Sequence, residues 1–210
     1  MKILSIQVGM PKEISYKGDT FQTGIFKNPV SGKVQVHETK LEGDGQADLN
    51  VHGGHDKAIY AYSHDTYEWW KETRNLSHLP NGAMGENLTV ENLDEKLVFV
   101  GDVFEIGDCL LQVSEPRYPC FKLAAMYNDA AILKQFMKLN RPGVYFRVLK
   151  TGTIESGMEL KLVSQEETKV TLLEMFEFKN KAFDRMMAKK LLEIKSLNGK
   201  WRLKIESALA

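Results

Sequence analysis

A change of pattern near residue 165 constrains this chain more than any other feature. Residues 1 to about 163 hold many short apolar segments divided by glycine-bearing turns, whereas from 165 to 210 only helical spacing occurs. Leu4, Ile6 and Val8 alternate with polar neighbours, and Ile59-Tyr60-Ala61-Tyr62, Leu97 to Val100, Val103 to Ile106, Leu110 to Val113 and Val144 to Leu149 are further strand candidates. Gly101-Asp102 and Gly107-Asp108 stand where tight turns join neighbouring strands. A closed or nearly closed barrel uses so many short strands without leaving exposed edges.

Helices interrupt this part. Asp65 followed by Glu68 predicts a capping box opening a short helix over Thr66 to Arg74, and a second helix is expected at about Asp129 to Leu139, before Asn140-Arg141-Pro142-Gly143. Beyond 165, Thr171 and Glu174 form a candidate capping box. Phe183, Met186, Met187, Leu191 and Ile194 recur at helical spacing, and Asn198 caps a last helix carrying Trp201, Ile205 and Leu209. The expected class is therefore mostly β with helices (α+β): a β-barrel domain at 1–163 and a small three-helix domain at 165–210. Each tail helix is too short to stand alone, so the three should pack on one another or on the barrel.

Composition narrows the function. The 28 Lys and Arg balance 28 Asp and Glu, so no global field attracts nucleic acid or an anionic membrane. No apolar run approaches the roughly 20 residues of a spanning helix, and the chain opens on strand-like sequence, which makes the cytoplasm the expected location. Two cysteines, Cys109 and Cys120, leave no disulfide framework and exclude a four-cysteine zinc site or a cysteine-ligated iron–sulfur cluster.

Four segments concentrate chemistry. In Val51-His52-Gly53-Gly54-His55-Asp56-Lys57, preceded by Gly43-Asp44-Gly45-Gln46-Ala47-Asp48, paired glycines let backbone amides approach a ligand, and His52, His55 and Lys57 add donors suited to a phosphate or oxyanion. The two histidines are alternatively metal ligands, or the whole segment is a surface hairpin. In Gly82-Ala83-Met84-Gly85-Glu86-Asn87-Leu88, Glu86 and Asn87 are suited to reading a heterocycle edge, or simply finish a turn.

The third segment, Glu115-Pro116-Arg117-Tyr118-Pro119-Cys120-Phe121-Lys122, places a cysteine on a stiff path between two cations. Such neighbours favour the thiolate needed for metal ligation or nucleophilic attack, while a small buried hydrophobe is the bland alternative. Cys109, at the start of an apolar strand, reads as a packing residue. In the fourth, Arg141 on a Pro-Gly turn is a candidate anion ligand and Arg147 is equally suited to a surface pair. Met186-Met187 reads as helix packing or as a partner-binding face.

Taken in order, Gly43-Asp44-Gly45-Gln46-Ala47-Asp48, Val51-His52-Gly53-Gly54, Gly85-Glu86-Asn87-Leu88 and Pro116-Arg117-Tyr118-Pro119-Cys120 resemble the MOSC family, related to the C-terminal domain of molybdenum cofactor sulfurase. The helical tail is similar to the three-helix appendage of that family's bacterial YiiM branch. The resemblance implies a barrel that binds the molybdenum cofactor (Mo-molybdopterin), with Cys120 as sulfur ligand to molybdenum. It further implies reduction of N-hydroxylated compounds, such as N-hydroxylated purine bases, to amines. On that reading Lys57 and Arg117 meet the cofactor's phosphate or pterin, and His52, His55, Glu86 and Asn87 line the pocket; Arg141 as a completing anion ligand rests on its own residues, the resemblance supporting it only through the neighbouring turn. His52 or His55 supplies the proton.

With no dinucleotide-binding fingerprint and too few cysteines for a cluster, electrons are expected from a separate reductase. Its dock is expected on the tail, which carries ten Lys and Arg against seven Asp and Glu between 165 and 210. A sulfur carrier with a persulfide on Cys120 and a non-catalytic cofactor-binding module are the competing functions.

Overall fold

The computed structural model describes residues 1–49 and 53–210. Twelve strands occur among them: β1 (Lys2–Val8), β2 (Lys12–Tyr16), β3 (Asp19–Thr23), β4 (Asn28–Val30), β5 (Val34–Val36), β6 (Ile59–Ser63), β7 (Leu88–Glu91), β8 (Val103–Ile106), β9 (Cys109–Pro116), β10 (Val144–Lys150), β11 (Gly152–Ile154) and β12 (Lys161–Ser164). The α-helices are α1 (Tyr67–Arg74), α2 (Phe121–Tyr127), α3 (Ala131–Leu139), α4 (Leu172–Asn180), α5 (Arg185–Glu193) and α6 (Gly199–Leu209). None is long and apolar enough to cross a membrane.

Eight strands form one curled sheet in the order β12-β8-β9-β10-β6-β7-β1-β4. Every pairing is antiparallel except β6 with β7. The curl brings the two ends of the sheet near one another: Ile3 N donates to Met158 O at 2.9 Å and Leu160 N to Met1 O at 3.1 Å. The sheet is thus a curled half-barrel, partly bridged by these bonds, in place of the closed or nearly closed barrel expected from so many short strands.

Alternation along β6 explains the layering. Ile59 and Ala61 join the barrel interior, while Tyr60 and Tyr62 belong to a second cluster with Tyr67 and Trp70 of α1, Leu123 of α2 and Ile132 and Phe136 of α3. Both faces of β6 are buried because α1–α3 cover the outside of the sheet. The tail helices extend the first cluster: Leu172, Met175, Leu191, Ile194, Trp201 and Ile205 share it with Ile6, Leu111 and Phe146. Tail and barrel thus have one continuous core.

Several local expectations change. Leu97 to Val100 is not a strand. Leu97 N bonds back to Asp94 O, Phe99 N to the Asp102 side chain and Val100 N to Val170 O, so these backbone groups serve a turn and the entry to the tail. The Asp65–Glu68 capping box does not form. A 3₁₀ turn over His64–Thr66 feeds α1 with Thr66 already helical and no side-chain cap. A register shift between Ile3 and Ser5 sends Ile3 and Ile6 inward and leaves Leu4 only partly buried. In the tail, the Thr171–Glu174 capping box is present and Asn198 accepts from Lys200 N at 2.8 Å. Met186, expected to pack, is 83% exposed.

Candidate functional site around Cys120

Strand β9 delivers the cysteine. Pro116, its last residue, pairs with Val144 of β10, and Val144 also pairs with Ala61 of β6, so the Pro116–Cys120 run leaves the sheet beside the first residues of β10. Gly143 makes this crossing possible: a Cβ there would lie 2.5 Å from Ala61 O, and its φ is +72°. Cys120 then stands immediately before α2, extended at φ −132° and ψ 171°, and half-buried.

Between these prolines, Arg117 and Tyr118 turn in opposite directions. Arg117 is buried, donates to Met84 O, and lies 4.8 Å from the Tyr60 ring centroid and 5.5 Å from that of Phe136. Burial disfavours its charge, but Tyr60, Tyr145 and Cys120 outweigh that and hold its pKa above the ordinary arginine value. Tyr118 points into the tail. Its hydroxyl donates to Met175 O at 2.9 Å, and its ring stacks on Phe176 at 5.0 Å.

Cys120 lines two adjoining cavities. The smaller, about 90 Å³, also takes in Lys27, Asp44, Lys57, Arg117 and Lys122. It is a cationic chamber with one carboxylate, Asp44, which is saturated: it accepts from Gly9 N at 2.8 Å and Asn87 Nδ2 at 2.9 Å, and is ion-paired with Lys27. Burial pulls the Lys27 pKa down, opposed by Asp44. Lys122 is buried, and among the described residues no carboxylate comes within ion-pair distance of it. An ammonium in the chamber wall without a carboxylate partner suits an anionic ligand.

The larger cavity, about 470 Å³, is lined by His55, Lys57, Glu115 and Tyr145 from the barrel and by Lys179, Asn198, Lys200, Trp201 and Lys204 from the tail. Its size falls in the usual range of clefts that enclose small molecules. Glu115 is held by Asn198 Nδ2 at 3.2 Å and Trp201 Nε1 at 3.0 Å, with Lys57 Nζ 3.7 Å away. Burial pushes the Tyr145 hydroxyl up to about 12, against the pull of Arg117, so it keeps its proton at neutral pH. His55 is exposed, on a 3₁₀ turn over His55–Lys57. Gln46 fixes the approach to that turn, accepting from Gly54 N at 2.9 Å and donating to Lys57 O at 3.1 Å; a Cβ on Gly53 would fall 2.3 Å from Gln46 Oε1.

The structure therefore brings Cys120, Lys57, Arg117, His55 and Asn87 to these cavities, though Asn87 spends its amide on Asp44, Gln7 O and Tyr60 N and acts as a brace. Two assignments need correction. Glu86 is fully buried and lines neither cavity: its carboxylate accepts from Gly82 N at 2.8 Å, Met84 N at 2.9 Å and Thr89 Oγ1 at 2.9 Å, holding the turn before β7. Arg141 also lies outside both, pairing with buried Glu95 and donating to Leu93 O at 2.6 Å. His52 lies outside the described residues. Among those described, no three His, Cys, Asp or Glu side chains cluster to hold a metal ion.

Sequence reasoning missed Lys27, Tyr145 and the whole tail contribution. Lys122 carried a visible signal, its position two residues after Cys120. Cys109 is the packing residue it was expected to be: it is fully buried, and burial together with Asp108 raises its thiol to about 11.

A curled β-sheet thus presents one half-buried cysteine over a cationic chamber. The MOSC domain matches residues 48–161, and the chain belongs to that family, which is associated with molybdenum-cofactor binding. It is 41% identical over 172 residues to the uncharacterized protein YflK of Bacillus subtilis, covering 81% of this chain and 76% of that one. It is 35% identical over 174 residues to a Gibberella moniliformis protein named reductase, covering 81% of this chain but only 31% of that longer one. The crystal structure of YiiM from Geobacillus stearothermophilus matches with a TM-score of 0.84 at 32% identity, over 100% of this chain and 99% of that one.

Proposed function

We propose that this protein is a molybdenum-cofactor-dependent reductase that converts N-hydroxylated compounds, for example N-hydroxylated purine bases, to the corresponding amines. The observation that carries the reading is the position of Cys120 at the junction of a cationic chamber and a larger cleft. A cysteine sulfur is a soft ligand suited to molybdenum, and the surrounding donors suit the cofactor's phosphate. The residues present fit the group: Cys120 would hold the metal, and Lys27, Lys57, Arg117 and Lys122 would meet the phosphate. When bound, the cofactor supplies the two-electron redox chemistry.

This chain's own residues do the rest. The overall change, R–NHOH + 2 e⁻ + 2 H⁺ → R–NH₂ + H₂O, needs protons at the departing oxygen. The His55 imidazole, which lines the larger cleft, would carry one. Arg117, fixed by Met84 O and two aromatic faces, keeps positive charge beside the sulfur. Asp44, Asn87 and Gln46 hold the walls. Electrons come from a separate reductase on this reading; the match to part of a longer protein named reductase supports a reductive role.

The test is expression in a molybdenum-cofactor-competent host, comparing wild type with Cys120→Ser for bound molybdenum and pterin and for reduction of N-hydroxyadenine by an artificial donor. Wild type should carry metal and turn over, and the variant should do neither. Equal metal content in both would sink the proposal, and a persulfide on Cys120 in place of metal would favour sulfur transfer.

A further inference from the structure

The rim of the larger cleft carries more positive charge than its carboxylates answer. Its two lining acids are committed: Asp56 pairs with Arg147 at 2.6 Å, and Glu115 is held by Trp201, Asn198 and Lys57. Lys179 from α4 and Lys204 from α6 contact aromatic faces instead. The Lys179 ammonium lies 3.7 Å from the Tyr118 ring centroid and that of Lys204 lies 5.9 Å from Trp201's. Among the described residues neither has a carboxylate within 4.0 Å. Desolvation pulls the Lys179 pKa down, and the neighbouring Lys204 and Lys57 add to this against Glu115.

Resting on the reductase reading and extending it, we propose that this rim is an anion subsite for the substrate, in which Lys179 and Lys204 hold a phosphate. The preferred substrates are then N-hydroxylated nucleotides rather than free bases. A base reacting near Cys120 leaves the tail lysines unused, whereas a ribose phosphate extends outward to them through a cleft of about 470 Å³. The lysines line a concave wall rather than a convex face, which favours a small anion over an acidic protein surface. The arrangement also gives the helical tail a direct part in substrate choice.

Calorimetric titration of the full-length protein, purified from a cofactor-competent host, with adenosine 5′-monophosphate and with adenosine reads the subsite without turnover. The monophosphate should bind about tenfold more tightly, since each exposed ammonium contributes a modest share of that factor. Lys179→Gln with Lys204→Gln should bring the two ligands to parity, and Lys179→Arg with Lys204→Arg should keep most of the difference. Equal affinities in wild type, or a preference that survives the double Gln variant, would overturn the proposal. Turnover of N-hydroxyadenosine and its 5′-monophosphate separates the two claims. Nucleotide preference in binding with no reduction of either compound removes the reductase reading alone, and reduction without any preference removes the subsite alone.

Discussion

The indole Nε1 of Trp201 donates to Oε2 of Glu115 at 3.0 Å, tying the last helix of the chain to the strand that delivers Cys120. Asn198 holds the other carboxylate oxygen at 3.2 Å, and Tyr118 reaches back to Met175 O. The cysteine loop is thus clamped between barrel and tail. Trp201→Phe keeps most of the ring but removes a donor to a buried carboxylate. Urea unfolding should show a loss of about 2 kcal/mol, the usual scale for a hydrogen bond to a charged group. An unchanged midpoint would mean that the clamp contributes nothing to stability.

Deleting residues 165–210 should do more than remove a docking face. Leu172, Met175, Leu191, Ile194 and Ile205 share one core with the barrel, so truncation uncovers apolar surface on Phe146, Leu111 and their neighbours. The truncated chain should lack a cooperative thermal transition. A sharp transition near the wild-type temperature would show the barrel to be independent of its tail.

The two thiols should separate chemically. Cys109 is buried and its thiol is raised to about 11, so at pH 8 it is almost wholly protonated and shielded. Iodoacetamide on the native protein should alkylate Cys120 once and leave Cys109 untouched until denaturant is added. Mass spectrometry of the digested peptides decides the matter, and labelling of Cys109 in the folded protein would contradict it.

Arg141→Met tests whether that arginine belongs to the fold or to the site. Glu95 is fully buried, and burial already raises its carboxyl above the ordinary value against the pull of Arg141. Without Arg141 the pKa rises further, and a charge left buried and unpaired costs about 3 kcal/mol near neutral pH. A carboxyl whose folded pKa lies above its unfolded value favours folding increasingly as pH falls toward that unfolded value. The deficit relative to wild type should therefore shrink on acidification from pH 7 to pH 5. A pH-independent deficit, or loss of pterin from folded variant, would return Arg141 to the site.

Local signals in the sequence were sufficient for the strand segments of β6 and β10, the glycine turn between β8 and β9, and the caps at Thr171 and Asn198, because each depends on neighbouring residues. Cys120 was legible for the same reason: two prolines and two cations lie within four residues of it. Glu86 and Arg141 misled because a charged residue beside a glycine turn looks alike whether it faces a ligand or braces the turn. Only the partners decide, and here they were Gly82 N and Met84 N for one and Glu95 for the other.

By itself, then, the sequence determined most strand segments, the turns, the helical tail and the packing role of Cys109, all set by short-range sterics and propensity. Tertiary structure alone decided that Lys27 and Asp44 meet Asn87, and that Lys179, Trp201 and Lys204 close the wall beside a cysteine more than fifty residues earlier. Such meetings depend on how the sheet curls and which core it shares with the tail, and no local spacing encodes them.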